Sequence, residues 1–230
     1  MNNQNMNNQT ISINALSKSY KIGSKKIDVL KNLDIKINKG EIVAVMGPSG
    51  SGKSTLLHLI GILDRPDSGN INLFGKTIND MSEVQKSRFR LKNIGFVYQF
   101  HNLMFDFTAL ENTMIPQMIA GFSKKKSKKE SLRILDNLGL KNRTNHKPSE
   151  MSGGEQQRCA FARAIINQPN LLIADEPTGN LDQKTAENVF KIIKEIIYEK
   201  KLTAIIATHS EYISNQVDRV IKLVNGSIYE

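Results

Sequence analysis

Gly47-Pro48-Ser49-Gly50-Ser51-Gly52-Lys53-Ser54 is the stretch from which the rest of this chain can be read. It fits Gly-x-x-x-x-Gly-Lys-[Ser/Thr] and sits where that pattern has a mechanism. Before it, Glu41 to Met46 reads as a strand buried on both faces of a parallel sheet. After it, Leu56, Leu57, Ile60 and Leu63 form one apolar stripe of a helix. Glycines let successive N–H groups turn toward phosphate oxygens with no Cβ in the way, and the new helix aims its N-terminus at the same anion. Lys53 supplies a full positive charge to the β- and γ-phosphates, the Ser54 hydroxyl is placed to ligate Mg²⁺, and Thr55 completes the nucleotide-binding set. A flexible Gly/Ser turn would account for the composition but not for the strand–loop–helix placement.

Outward from this loop, strands lie on the N-terminal side. Ile11 and Ile13 alternate with polar residues, as do Leu33, Ile35 and Ile37, and Asn70 to Phe74 is a further short strand. Residues 1–9 read as a disordered polar tail. The middle, about 81–167, reads as mostly helical, with Ile94 to Val97 as a strand edge. Ser127 followed by Glu130 predicts a capping box opening a helix, with the Lys124–Lys129 cluster just before and within its start. Then come a buried strand, Leu171 to Ala174, a helix through Val189, Ile192, Ile193 and Ile196, and strands at Thr203 to Ala207 and Val220 to Val224. Strands and helices alternate at both ends around a helical insertion, which is an α/β core with a helical subdomain.

Composition narrows the function classes. The 230 residues are 39% hydrophobic and 23% charged, within the globular range, so wholesale disorder and a disulfide scaffold are excluded. Cys159 is the only cysteine and cannot form an internal disulfide. No apolar run approaches the ~20 residues of a bilayer span. Met1 to Thr10 has neither a charged nor an apolar leader segment, so a soluble cytoplasmic chain is expected. The net charge of +10 invites a nucleic-acid reading, but aromatic residues make up only 6% and Trp is absent, leaving little for base stacking. No nucleic-acid partner is expected.

Two more stretches carry chemistry. Asp175 and Glu176 follow the second buried strand, where ligands bind in open α/β sheets. Asp175 would hold Mg²⁺ through water, and Glu176 is placed to polarise the attacking water. Met151-Ser152-Gly153-Gly154-Glu155-Gln156-Gln157-Arg158 pairs an N-cap serine with a reciprocal glutamate. Its two glycines give up as much as ~1 kcal/mol each relative to alanine in a first helical turn. A phosphate approaching bare backbone at that helix start would offset the loss.

With these motifs in order, the chain resembles the ATP-binding-cassette (ABC) family over nearly everything after Thr10. The resemblance implies a P-loop NTPase of ABC type: a parallel-sheet core, an antiparallel β subdomain, and a helical subdomain at about 81–167 inserted within residues 10–230. It implies that Tyr20 stacks on adenine, that Gln99 senses Mg²⁺ and faces a membrane partner, and that His209 contacts the γ-phosphate. Ser152, Gly153 and Gly154 would bind the γ-phosphate of ATP held by a second copy, and Gly179-Asn180-Leu181-Asp182 would communicate across that dimer. Met151 stands where Leu is commoner and Glu155 where Gln is commoner; the first conserves volume and the second suits the cap.

Tyr98-Gln99-Phe100-His101-Asn102-Leu103, Asp106 to Asn112 and Asn145 to Glu150 are similar to the lipoprotein-releasing branch. That implies an ATPase, homodimeric when ATP is bound, that works with two integral membrane subunits at the cytoplasmic face of the inner membrane. The alternatives are a related macrolide or peptide exporter, a cell-division complex, or a soluble ABC ATPase acting on DNA or the ribosome. The short segment between Lys53 and Ser152 and the single cassette speak for a transporter subunit.

Overall fold

The computed structural model describes residues 9–229. The expected tail over residues 1–9 therefore lies outside the described residues, except for Gln9, which begins the first strand. In chain order the elements are β1 (Gln9–Ile22), β2 (Lys25–Asn38), β3 (Ile42–Met46), α1 (Lys53–Ile60), β4 (Ser68–Leu73), β5 (Lys76–Thr77), α2 (Glu83–Asn93), β6 (Ile94–Tyr98), α3 (Ala109–Ile119), α4 (Lys124–Asn137), α5 (Gly153–Ile165), β7 (Leu171–Asp175), α6 (Gln183–Glu199), β8 (Thr203–Ala207), α7 (Glu211–Ser214), β9 (Arg219–Val224) and β10 (Ser227–Tyr229).

One compact unit takes the chain up to Arg90 and again from Lys201. It holds an antiparallel sheet in the order β2-β1-β4-β5. The register sets Ile11 opposite Ile37 and Leu73, and Ile13 opposite Ile35 and Ile71. All six are buried, so the period-2 alternation of the sequence becomes one apolar face. In the same unit β3 lies between β8 and β9, parallel to both, and β10 returns antiparallel to β9. Ile42 to Val45 and the whole of β8 are buried, as strands covered on both faces must be. Helix α1 buries Leu56, Leu57, Leu59 and Ile60. Leu63, expected on that stripe, comes after the C-cap Gly61 and is exposed.

The second unit is Leu91–Lys200. Here β6 and β7 run parallel, with Phe96 opposite Ile173 and Tyr98 opposite Asp175. Helix α5 buries Cys159, Ala160, Phe161, Ala162 and Ile165. Burial pushes the Cys159 thiol up to about 11, which keeps it protonated and inert. A Cβ at Gly95 would lie 2.4 Å from the Ala164 carbonyl oxygen, so β6 passes against α5 with no room to spare.

The helix expected to open at Ser127 opens one turn earlier. Ser123 is the N-cap, its hydroxyl accepting from the Lys126 N–H, and Ser127 is buried inside α4. Glu130, expected to complete the box, binds the Arg133 guanidinium instead. Gly121, with φ 87, turns the chain after α3 so that α4 can start there, and the lysines fall within its first two turns. Among the described residues no helix is long and apolar enough to cross a membrane.

Candidate nucleotide site

The phosphate loop joins β3 to α1 in the first unit. Its last glycine, Gly52, is the N-cap of α1 with φ 105, a left-handed conformation that strains any residue with a Cβ. A Cβ there would also lie 2.8 Å from Leu30 Cδ2, and one at Gly47 only 2.1 Å from the Leu223 carbonyl oxygen. No side chain caps α1. Among the described residues the buried Ser51 hydroxyl has no hydrogen-bond partner. Lys53 Nζ donates to the Gly47 carbonyl at 2.7 Å and the Pro48 carbonyl at 3.2 Å, which holds the cation over the loop. Uncapped N–H groups, an unpartnered hydroxyl and a loop-held cation form a donor set that fits a polyphosphate. Ser54 is exposed at the helix start.

Tyr20 lies on β1 in the same unit, and sequence reasoning did not foresee what fixes it. Its hydroxyl donates to Asp64 Oδ2 at 2.7 Å, and Lys18 Nζ lies 5.0 Å from the ring centroid. Lys18 also binds Asp64 at 2.8 Å. Burial would raise the Asp64 carboxyl, but the hydrogen bonds from Lys18 and Tyr20 outweigh it and hold it below the usual range. Partial burial, reinforced by the bond to Asp64 and only partly offset by the nearby Thr55, raises the Tyr20 hydroxyl. The hydroxyl is anchored while the residue as a whole stays 38% exposed, which suits a stacking platform. His209 is exposed just past β8. Since Ala207 is opposite Val45, it leaves the sheet at the same carboxyl end as the phosphate loop.

In the second unit Gln99, Asp175 and Glu176 stand together at the carboxyl ends of β6 and β7. Glu176 has φ 46, a left-handed backbone that costs a non-glycine residue about 1–3 kcal/mol and is common at functional turns. Gln99 is held by a residue that the sequence did not mark for this task. Its Nε2 donates to Asn180 Oδ1 at 3.0 Å, and Asn180 Nδ2 donates to the Gln99 carbonyl at 3.1 Å. Gly179 is exposed beside them, and a Cβ there would lie 2.9 Å from Gln99 Nε2.

Ser152 opens α5 with the expected box. Its hydroxyl accepts from the Glu155 N–H at 3.3 Å, and its own N–H donates to Glu155 Oε2 at 2.8 Å. Arg143 Nε binds the other Glu155 oxygen at 2.8 Å and is the chief reason that carboxyl sits below its usual range. The two glycines do not share one reason for being bare. Gly153 is half-buried, with only the tip of Leu181 near its missing Cβ, at 3.0 Å. Gly154 is buried, and a Cβ there would lie 2.8 Å from Thr185 Cγ2 and 3.4 Å from Val189 Cγ2 of α6. Close packing of α5 on α6 therefore explains Gly154 without a phosphate.

The segment after Gln99 divides its apolar residues. Leu103 and Leu110 are buried, whereas Phe100 and Phe105 are each 74% exposed and Phe107 is 42% exposed. His101 and Asn102 are both left-handed, with φ 59 and 48. Arg163 of α5 donates to both of their carbonyls, at 2.8 and 2.6 Å.

An ABC transporter family model matches residues 30–179. The lipoprotein-releasing system ATP-binding protein LolD of Legionella pneumophila (strain Paris) is 46% identical over 224 residues, covering 97% of this chain and 99% of that protein. LolD of Wigglesworthia glossinidia brevipalpis is 45% identical over 215 residues, 94% of each. Among solved structures, the ATP-binding cassette MJ0796, dimeric in a post-hydrolysis state bound to ADP and Pi, has a TM-score of 0.88 at 38% identity, covering 96% of this chain and 97% of that one. The cbiO1 protein from Clostridium perfringens, part of the ABC transporter complex cbiONQ, has a TM-score of 0.87 at 26% identity, covering 97% and 88%.

Proposed function

The chain belongs to the ABC transporter family as an ATP-hydrolysing subunit, and from that premise we propose that it powers the release of outer-membrane-directed lipoproteins from the inner membrane. It would act as a homodimer when ATP is bound. It would serve two integral membrane subunits of LolC/LolE type from the cytoplasmic face, as a peripheral protein. The exposed aromatic segment from Phe100 to Phe107, directly after Gln99, carries this reading, because it offers those subunits an apolar surface beside a residue of the nucleotide chemistry. The helical region about 81–167 is the subdomain we assign to that contact.

Each residue has a proposed role toward ATP. Tyr20 stacks on the base, Gly47 to Thr55 wrap the phosphates, and Lys53 neutralises the β- and γ-phosphates. Ser54, Asp175 and Gln99 would hold Mg²⁺, which when bound neutralises charge on the transferring phosphoryl group. Mg²⁺ keeps several waters and takes few protein ligands, so one hydroxyl, one carboxylate and one amide fit it. Glu176 orients the attacking water and accepts its proton as the water oxygen bonds to the γ-phosphorus and ADP leaves. His209 steadies the γ-phosphate. Ser152 and Gly153 would meet the γ-phosphate bound by a second copy; Gly154 supports them through its fit against α6. ATP drives closure only by binding the closed form better than the open one.

Reconstitution tests the proposal. The chain would be assembled with the two membrane subunits in vesicles loaded with a lipoprotein, and release followed on ATP addition. Glu176→Gln should keep ATP binding, slow turnover by about 10²–10⁴-fold and stop release. Lipoprotein that stays in the membrane while the wild-type complex hydrolyses ATP would overturn the assignment.

A further inference from the structure

The tip of the α3–α4 hairpin carries a surface that the nucleotide chemistry does not use. Every residue from Met118 to Lys126 is exposed. Ile119 is 67% exposed, Met118 47% and Phe122 40%, so three large apolar side chains stand in water around the turn at Gly121. Directly after them α4 opens with Lys124, Lys125, Lys126, Lys128 and Lys129 and has no acidic residue in its first turn.

This arrangement works against the helix that bears it. Cations at a helix N-terminus oppose the macrodipole, and Lys124 with Lys128, like Lys125 with Lys129, is a repelling i,i+4 pair. Among the described residues none of these lysines makes an ion pair. Lys126 Nζ instead lies 4.3 Å from the Phe122 ring centroid. The neighbouring carboxylates are committed elsewhere: Glu111 to the Thr108 cap and Glu130 to Arg133. Both exposed features become favourable at an anionic bilayer, where apolar side chains enter the headgroup boundary and basic side chains meet lipid phosphates. The basic residues are all lysines, flexible point charges suited to a fluid field of headgroups rather than to the fixed geometry of an acidic protein.

We propose that Met118 to Lys129 is a direct lipid-contact site, with Ile119 and Phe122 entering the headgroup layer of an anionic membrane and the lysines lying over its phosphates. The site goes beyond attachment through membrane subunits and does not depend on the transported cargo.

The test is co-sedimentation of the purified full chain with vesicles of phosphatidylcholine and phosphatidylglycerol in equal parts, against phosphatidylcholine alone. The wild type should bind the anionic vesicles and release with salt. Lys124→Glu/Lys125→Glu/Lys128→Glu should lower partitioning at least about tenfold, while its thermal melt holds or rises because acids suit that helix start. Lys36→Glu/Lys39→Glu/Lys76→Glu makes the same change in net charge on other exposed positions and should lower partitioning less than about threefold. Ile119→Ser/Phe122→Ser should weaken binding and make the remainder more salt-sensitive. Failure of the wild type to bind, equal losses in the two charge variants, or no effect of the serine pair would each overturn the proposal.

Discussion

Two helices of this chain open on glycines, and they open differently. Among the described residues, helix α1 follows Gly52 with no capping side chain, a buried Ser51 hydroxyl without a partner, and Lys53 folded over its own loop. Helix α5 follows Ser152, whose hydroxyl already takes up the Glu155 N–H while Glu155 is gripped by Arg143. Helix α3 repeats the box with Thr108 and Glu111, yet buries Ala109 and Leu110 where α5 has Gly153 and Gly154. Bare backbone thus means three things in one chain. At Gly52 it allows a left-handed turn, at Gly154 it makes space for α6, and at Gly153 it leaves an open approach. Phosphate affinity should therefore concentrate at α1, with the start of α5 adding little in a single copy.

The sharpest way to break that contrast is to compare Lys53→Ala with Ser152→Arg in ATP titrations of the isolated chain. Lys53→Ala should weaken binding by about a hundredfold, near 3 kcal/mol, because a charge-assisted contact is lost. Ser152→Arg should stay within about threefold, since its proposed phosphate belongs to another copy. Equal losses would mean that the two helix starts serve one phosphate set in one chain.

Alanine substitutions separate the glycines by stability in denaturant melts. Gly52→Ala should cost about 2–3 kcal/mol, from left-handed strain and the approach of Leu30. Gly154→Ala should cost about 1 kcal/mol, overpacking against Thr185 outweighing the better helix propensity of alanine. Gly153→Ala should be nearly neutral, because Leu181 can move its tip. A stabilised Gly154→Ala would remove α6 as the reason for that glycine.

The smallest effect tests the cap. Glu155→Gln should cost about 1 kcal/mol at neutral pH, kept small because Arg143 is half-exposed and its pairing is screened. The folded state holds the Glu155 carboxyl below its ordinary value. The stabilisation is therefore full above that ordinary value and disappears as pH falls through the lower, folded one. Melting temperatures of wild type and variant should converge on acidification; a constant gap would assign the loss to the cap geometry rather than to the charge.

What could be read from the sequence was local. The phosphate loop, β3 and the Ser152–Glu155 box are contiguous patterns, and each forms as read. Ser127–Glu130 has the same spacing, but a box pattern cannot reveal that Gly121 lets the chain enter α4 one turn sooner. The Asn225-Gly226 pair before β10 is a two-residue hairpin turn, with φ 50 and 79, that sets Val224 opposite Ser227. Distant partners were beyond reach. Gln99 finds Asn180 across 81 residues, and Tyr20 finds Asp64 across 44, by placement of their backbones. Nothing adjacent to either residue in the sequence specifies which amide or carboxylate will be met.

One contact also has a mechanical side. Helix α5 is 13 residues long, roughly 20 Å of rod. Ser152 caps one end, and near the other Arg163 grips the backbone of His101 and Asn102, next to the exposed Phe100. A helix resists stretching, and letting go of two carbonyls at once is costly. A displacement of the 101–102 backbone that keeps both bonds must then tilt or slide the whole rod, so a load applied at Phe100 is delivered to Ser152 as movement, with Arg163 as the pin in the linkage.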